Sequence, residues 1–569
     1  MRKLNLIFIE IVIVALFSLL TINAQPSRET RAVWVVTNFR LDWPPPTFDV
    51  NEQKEALDEI FRTIREKNFN TVYFQSIIKG TSLFKSHLLP FCPYFMDTPA
   101  DSNFFDPLGY AITLSRKYGL EIHAWVNTVR VFSGDENYFL EDSNHIVNNR
   151  PDLTERVERK GETQYWLNFG NPEARKFMVD VLSELALNYD LDGVQLDFLR
   201  YPGHSFPDVP EFIAFGDTLN RDDWRRENIN QFVHALHDTL RSIKPLLKIG
   251  ATPFGIYKNK LNAEGSEAYY TVYQDSRKWI KNGWVDYLAP QIYWDIENNP
   301  RFDTLSVDWE KNSFGRNIVL GVAAYKPEVS KELDKIIALS RAIGASGTAM
   351  FRYNFIRNRQ FPEYDKFVFP AEMPWLDAHN PLPPINFTVK SDTGKDNKIE
   401  MSWGKSLSEN IKYYSLYQIN SDEYAENKTL VTLFPANADF AKFSIKRPKS
   451  VIYKFEMCSV NRLWNESNPS KNKPKIILTK LMNLISLKDL IPLKPILIKG
   501  NDSDELCYYS KNKGKLKIEL LGSTTTKTLF ANIIRGINYI PIHENISKFN
   551  SVQLYDGKTN QLKFVIKNF

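Results

Sequence analysis

The sequence predicts a (β/α)₈ barrel followed by β-rich modules. Eight strand-like segments recur between residues 30 and 353, mostly separated by helical or loop-rich stretches, as a closed parallel barrel requires. One of them, LDGVQLDFLRYP at 191–202, is apolar on one face, and its other face turns polar at the C-terminal end. No glycine-rich phosphate turn follows the first strand, although a doubly wound sheet would call for one.

The elements follow in order. Arg2 and Lys3, an apolar run to Leu20 and the segment TINAQ predict a signal peptide over 1–24, cleaved after Ala24. The run is short and ends in polar residues, so no permanent membrane span is expected. The mature protein is expected to be exported, to the periplasm or outside the cell. The barrel is placed at 28–370, with strands beginning at Thr30, Asn70, Glu121, Leu191, Lys248, Val285, Ile318 and Gly347. Leu57, Ile60, Phe61 and Ile64 keep a 3.6-residue rhythm. Residues 172–188, 223–243, 275–281 and 330–343 also read as helices. A proline-rich linker occupies 371–384. Short alternating strands with Trp403, Tyr414, Tyr417 and Tyr453 predict a fibronectin type III-like β-sandwich over 385–470. A Lys-rich, strand-rich stretch at 473–569 predicts another small β-rich domain.

Composition narrows the function. At 569 residues the chain suggests two to four domains. A net charge of +5 is small for this size and argues against a nucleic-acid partner. Cys92, Cys458 and Cys507 are too few and too scattered for a disulfide framework or a metal cluster. A Cys458–Cys507 bridge and buried free thiols both remain open. The sequence lacks GxSxG, HExxH and P-loop motifs and a dinucleotide glycine pattern, and no cofactor or metal is expected.

Strand alternation then selects the inward side chains. In 191–202 Val194, Leu196 and Phe198 face the helices, whereas Gly193, Gln195 and Asp197 face the axis. Tyr73 and Gln75 point inward from the second strand. From the third come His123, Trp125 and Asn127; from the sixth come Gln291 and Tyr293. Tyr325 closes the seventh, and Arg352 is the inward candidate of the eighth. Arg200 and Tyr201 open the loop after Asp197, and Trp294 follows Tyr293. Taken singly, His123 reads as a bonded core histidine and Trp125 as core filling. Gathered at one mouth, amides and aromatics suit a neutral, hydroxyl-rich ligand such as a glycan.

Glycoside hydrolysis ordinarily needs two carboxylates. Asp197, the last inward polar residue of its strand, is the leading candidate, set against a structural Asp paired with Arg200. Asp295 after the sixth strand and Asp42 after the first are candidate partners, with Glu297 a further option; each also reads as a loop charge. Substrate-assisted catalysis, with an N-acetyl group as nucleophile, relaxes the need for a second acid.

The blocks TRAVWVVTNFRLDWP, NTVYFQ, FDPLGYAITLSRKYGLEIHAWVNTVRV, LDGVQLDFLRYP, ATPFGIY and VDYLAPQIYW, in that order, resemble the glycosyl hydrolase-like 10 family over about residues 28–370. The resemblance implies an exported barrel that hydrolyses a polysaccharide, with peptidoglycan-type N-acetylated glycan among the substrates. It also implies Asp197 as leading catalytic residue, surrounded by Asp42, Gln75, His123, Asn127, Arg200, Gln291 and Tyr293. The sequence departs from the family after Gln75, where SIIKGTSLF replaces a stretch that commonly contains Arg. The competing expectation is a catalytically silent glycan-binding barrel of the cell envelope.

Overall fold

The computed structural model describes residues 26–95, 105–159, 161–392, 398–422, 425–444, 451–470, 475–478, 495–498, 504–510, 513–533, 536–542 and 549–567. The expected signal peptide lies outside the described residues. The chain divides into two compact units, Met1–Ala378 and His379–Phe569.

The barrel strands are β1 (Thr30–Val35), β2 (Thr71–Ile78), β3 (Glu121–Asn127), β4 (Gly193–Asp197), β5 (Lys248–Ala251), β6 (Tyr287–Leu288, resuming at Gln291–Ile292), β7 (Asn317–Val322) and β8 (Gly347–Met350). Each pairs in parallel with its neighbours in chain order, and β1 pairs with both β2 and β8, which closes the sheet. Alternation along each strand then sorts the side chains. Val33, Val35, Val72, Phe74, Ile122, Ala124, Val126, Val194 and Leu196 join the core shared with the helices. Ala32, Trp34, Tyr73, Trp125, Tyr287, Ala289, Val319 and Ala349 form a separate cluster along the axis.

Helices α1 (Val50–Glu66), α2 (Pro107–Tyr118), α3 (Pro172–Asn188), α4 (Arg221–Ile243), α5 (Ser276–Lys281), α6 (Phe302–Glu310) and α7 (Leu333–Ala342) follow β1 to β7 in turn. The rhythmic residues of α1 are all buried, and Asp49 caps it by accepting the Asn51 and Glu52 amides. Pattern alone did not single out α2 and α6. The signals for α2 were its ends: an Asp106 cap, Pro107 in the first turn and Gly119 at φ 63°. The helix expected at 330–343 is α7, preceded by a single helical turn at Pro327–Ser330. Between β3 and α3 the chain adds an antiparallel sheet of Arg130–Ser133, Glu162–Leu167 and Thr154–Arg159.

A polar network fills the lower barrel. Glu121, fully buried, pairs with Lys248 and hydrogen-bonds His123 Nε2 at 2.8 Å. His123 Nδ1 meets the Tyr287 hydroxyl at 2.8 Å, and Trp34 Nε1 donates to Gln195 Oε1 at 2.7 Å. Glycine makes the space: a Cβ on Gly193 would lie 2.6 Å from the His123 ring, and one on Gly250 2.0 Å from the Tyr287 ring. Burial tends to raise the Glu121 carboxyl, but Lys248 and His123 outweigh it and hold the group well below the usual range. Its stabilisation is therefore present above the ordinary carboxylate range and lost only in strong acid.

The second unit is β throughout its described residues. One pair of sheets has the strand orders Ile385–Asp392, Lys398–Gly404, Phe440–Ser444 and Ala425–Pro435, Ile411–Asp422, Val451–Asn461, Lys475–Leu478. Phe387, Met401, Trp403, Tyr414, Leu416, Phe455 and Met457 fill the space between them. A second three-plus-four pair, from Ile496 to Lys567, encloses Leu506, Leu516, Ile518, Leu520, Val552 and Leu554. Cys92 and Cys458 are free and buried, so the Cys458–Cys507 bridge is not formed.

Replacing Lys248 with Met leaves Glu121 charged inside the barrel without its cation. A loss of about 3–5 kcal/mol is expected, read as a lowered thermal midpoint at neutral pH. An unchanged midpoint would show that the pair contributes nothing.

Candidate active site

The C-terminal ends of β3 and β4 finish level, with Asn127 opposite Asp197. Asp197 is buried. Its Oδ2 accepts Trp125 Nε1 at 3.1 Å; its Oδ1 accepts the Phe198 amide at 2.6 Å and Gln291 Nε2 at 3.3 Å. The Phe198 bond depends on a left-handed turn, φ 50°, directly after the strand. A non-glycine residue adopts that conformation at a cost of about 1–3 kcal/mol. Three hydrogen bonds and no ion pair hold the carboxyl, so the alternative of an Asp197–Arg200 pair is not formed within 4 Å.

Phe198 stands between two cations. The Arg130 guanidinium lies 3.5 Å from its ring centroid and the Arg200 guanidinium 4.5 Å, with Arg200 also 4.6 Å from Phe254. Burial pushes Arg200 down to about 9 and Arg130 down to about 10, against the pull of the Asp197 charge. Burial likewise raises Asp197, more than Arg200, the Phe198 amide, Trp125 and Arg130 together lower it. Arg130 escaped the sequence reading because it belongs to the sheet inserted after β3. Its signal was proximity: it stands three residues beyond Asn127.

The other candidates separate into groups. Gln291, Tyr293 and Tyr325 are at the mouth with Asp197; Tyr293 packs on Phe351 and Tyr325, and Tyr325 is half-exposed. Gln75 lies three residues before the end of β2, level with Trp125, and its Oε1 is spent on the Thr37 and Asn38 amides, so it secures the loop after β1. Trp125 is buried beneath Asp197. His123 lies deeper: its register partner is Gly193, at the start of β4, so it belongs to the barrel interior. Tyr201 is buried against Phe206 and Tyr273, and Trp294 packs on the outer core.

Both partner acids are engaged in loops. Asp42 accepts the Val36 and Asn354 amides and pairs with Arg352, which ties the loop after β1 to the end of β8. Burial raises its carboxyl against those three partners. Asp295 accepts the amides of Glu297 and Asn298 and the Asn298 side chain, closing its own turn. Burial opposes these bonds, yet they hold the group below its usual range. Asn127 is different: its Oδ1 is buried with no hydrogen-bond partner among the described residues.

Residues 29–336 match the family described as glycosyl hydrolase-like 10. The chain belongs to this family. The matched span runs from the entry of β1 into α7, so it covers the barrel strands through β7. The glycosyl hydrolase YngK of Bacillus subtilis is 30% identical over 490 residues, 80% of this chain and 94% of that protein. The glycosyl hydrolase DigH of Escherichia coli K12 is 28% identical over 379 residues, 59% of this chain and 85% of that one. The PgaB (BpsB) glycoside hydrolase domain from Bordetella bronchiseptica is also similar. It superposes with a TM-score of 0.44 at 14% identity, covering 59% of this chain and 97% of that one. Among the described residues of this glycosyl hydrolase-like 10 protein, no group of three or more His, Cys, Asp or Glu is arranged to hold a metal, and no helix is long and apolar enough to cross a membrane.

The raised Asp197 carboxyl carries a sign for stability. From its ordinary value of 3.8 upward, the folded protein keeps a proton that the unfolded chain has released, so this group's contribution falls as pH rises through that window. Asp197→Asn removes the dependence. Thermal melts should show the variant gaining on the wild type as pH rises from about 4 toward neutrality; a constant difference would contradict the buried-acid assignment.

Proposed function

We propose that this protein is an exported glycoside hydrolase that cleaves O-glycosidic bonds of a polysaccharide, with Asp197 as its catalytic carboxyl. The observation that supports this most is Asp197 itself: a carboxyl buried at the C-terminal end of a barrel strand, where barrel enzymes keep their chemistry, and held by hydrogen bonds without a closed ion pair. A raised carboxyl suits proton donation to a leaving oxygen. Gln291 and Asn127 flank it; the unpartnered Asn127 Oδ1 offers an acceptor for a sugar hydroxyl or acetamido N–H. Tyr293 and Tyr325 supply aromatic faces for a sugar ring.

Asp42 and Asp295 are the remaining candidates for a second acid. Their loop bonds make them positioning residues in this proposal, and a substrate N-acetyl group supplies the nucleophile. That assignment fits an N-acetylated, peptidoglycan-type glycan. The module expected at 385–470 is proposed as fibronectin type III-like, supported by a three-plus-four strand order around Trp403 that takes in Lys475–Leu478 as its last strand. Export rests on the N-terminal pattern of Arg2, Lys3 and the apolar run.

A second reading, a glycan-binding barrel without activity, draws on one observation: among the described residues, no carboxylate shares a hydrogen bond or ion pair with the Asp197 site. Release of reducing ends from peptidoglycan, chitin-type and neutral glycans tests the two. Wild-type protein should release ends from at least one. Asp197→Asn should lower turnover by roughly 10²–10⁴-fold while glycan binding persists. Binding without turnover by the wild type would favour the silent barrel; an Asp197→Asn protein with full activity would remove Asp197 from the mechanism.

A further inference from the structure

The guanidiniums beside Asp197 are not consumed by the fold. Among the described residues neither Arg130 nor Arg200 makes a hydrogen bond or ion pair through its side chain, and Arg200 Nε is buried with no acceptor. Both rest on the Phe198 ring, which holds the planar forks in place and leaves their N–H edges unspent. Stacking of this kind contributes about 0.5–2 kcal/mol, but a buried donor without an acceptor costs about 1–3 kcal/mol. The aromatic contact alone therefore does not account for placing Arg200 there.

The local charge points the same way. Asp197, held by burial toward its protonated form, supplies at most one negative charge against two guanidiniums. A third cation stands near the far end of the strand that Arg130 opens: Lys79 Nζ lies 4.3 Å from the Phe39 ring centroid, 5.5 Å from Phe132 and 4.7 Å from Tyr138. Its ammonium also makes no hydrogen bond or ion pair among the described residues. Glu162, exposed beside the turn of the same inserted sheet, faces Arg130 and Lys79 but closes no ion pair with either. Asp135 also faces Lys79, and a fourth cation, Arg159, acts on both Arg130 and Arg200; four cations thus stand against Asp197, Glu162 and Asp135, and the mouth carries an excess of positive charge. Polar residues on the strands alone had suggested a neutral ligand; the loops that follow β2, β3 and β4 change that.

We propose that the subsite beside Asp197 receives a sugar unit bearing a carboxylate, gripped by Arg130 and Arg200, with Lys79 adding longer-range attraction. The proposal rests on the glycoside hydrolase reading above and names its substrate class. Guanidinium forks match a carboxylate with two parallel hydrogen bonds, which a hydroxyl does not reproduce. The carboxylate can belong to a uronic acid or to an acidic ether on an N-acetylated sugar.

Calorimetric titration of the full chain with S-linked, uncleavable tetrasaccharides tests this. Four probes are used: N-acetylglucosamine units alone, the same backbone with alternate units carrying 3-O-lactyl groups, the methyl ester of that second probe, and a tetra-uronate. At least one carboxylate probe should bind about tenfold or more tightly than the neutral probes, the strength of a charge-assisted hydrogen bond. Which of the two is preferred identifies the source of the acid. Arg130→Gln should erase the preference without weakening the ester or the neutral probe, and Arg200→Gln serves as the second variant if the first does not fold. Equal binding of acid, ester and neutral probes would overturn the acidic subsite while leaving the glycosidase reading standing. Binding of none of the four would also overturn the acidic subsite, and the reducing-end assay decides the glycosidase reading separately.

Discussion

In a closed parallel barrel every second side chain has nowhere to go but the axis, and that constraint shapes this molecule. The aliphatic residues at inward positions, Ala32, Ala289, Val319 and Ala349, are small. Trp34, Tyr73, His123, Trp125 and Tyr287 fill the axis instead. Their polar edges must then be paired, because a buried donor or acceptor left unpaired is costly. The chain Lys248–Glu121–His123–Tyr287 is the outcome, with glycines 193 and 250 ceding the volume.

The same rule lifts Asp197 to the mouth. It occupies the next inward position above Gln195, and Trp125, one layer below, points its N–H up at the carboxyl. The interior packing and the candidate site therefore share a residue. Above that layer the rule weakens, since the backbone leaves the strand at Phe198 and other forces decide. Stacking of Arg130 and Arg200 on one ring keeps positive charge near Asp197 without neutralising it, which leaves the site electrically available to a ligand.

Loops around the mouth are built for rigidity. Gln75 fastens the start of the loop after β1, Asp42 ties that loop to β8 through Arg352 and Asn354, and Asp295 winds its own turn. Three residues with suitable functional groups, Gln75 within β2 and Asp42 and Asp295 beyond their strands, are thus engaged in holding the rim. Their side chains illustrate why a carboxylate's address in the sequence is weaker evidence than the bonds it makes.

Strand alternation in the sequence was enough to determine the barrel, the inward set and the place of Asp197, because a period of two is local and depends only on neighbouring residues. The helix α1 was legible for the same kind of reason, through its 3.6-residue rhythm, whereas α2 was missed because its signals lie in its ends and not in its pattern. Tertiary structure alone decided depth: His123 and Asn127 share a strand and a parity, yet one is sealed against Glu121 and the other stands at the mouth, since depth depends on the register with β4. It alone decided that Asp42 and Asp295 spend their oxygens on loop amides, and that Arg130 reaches Phe198 from an inserted sheet. Those contacts join residues tens to hundreds of positions apart, or depend on how an irregular turn closes, and no periodicity in the chain encodes either.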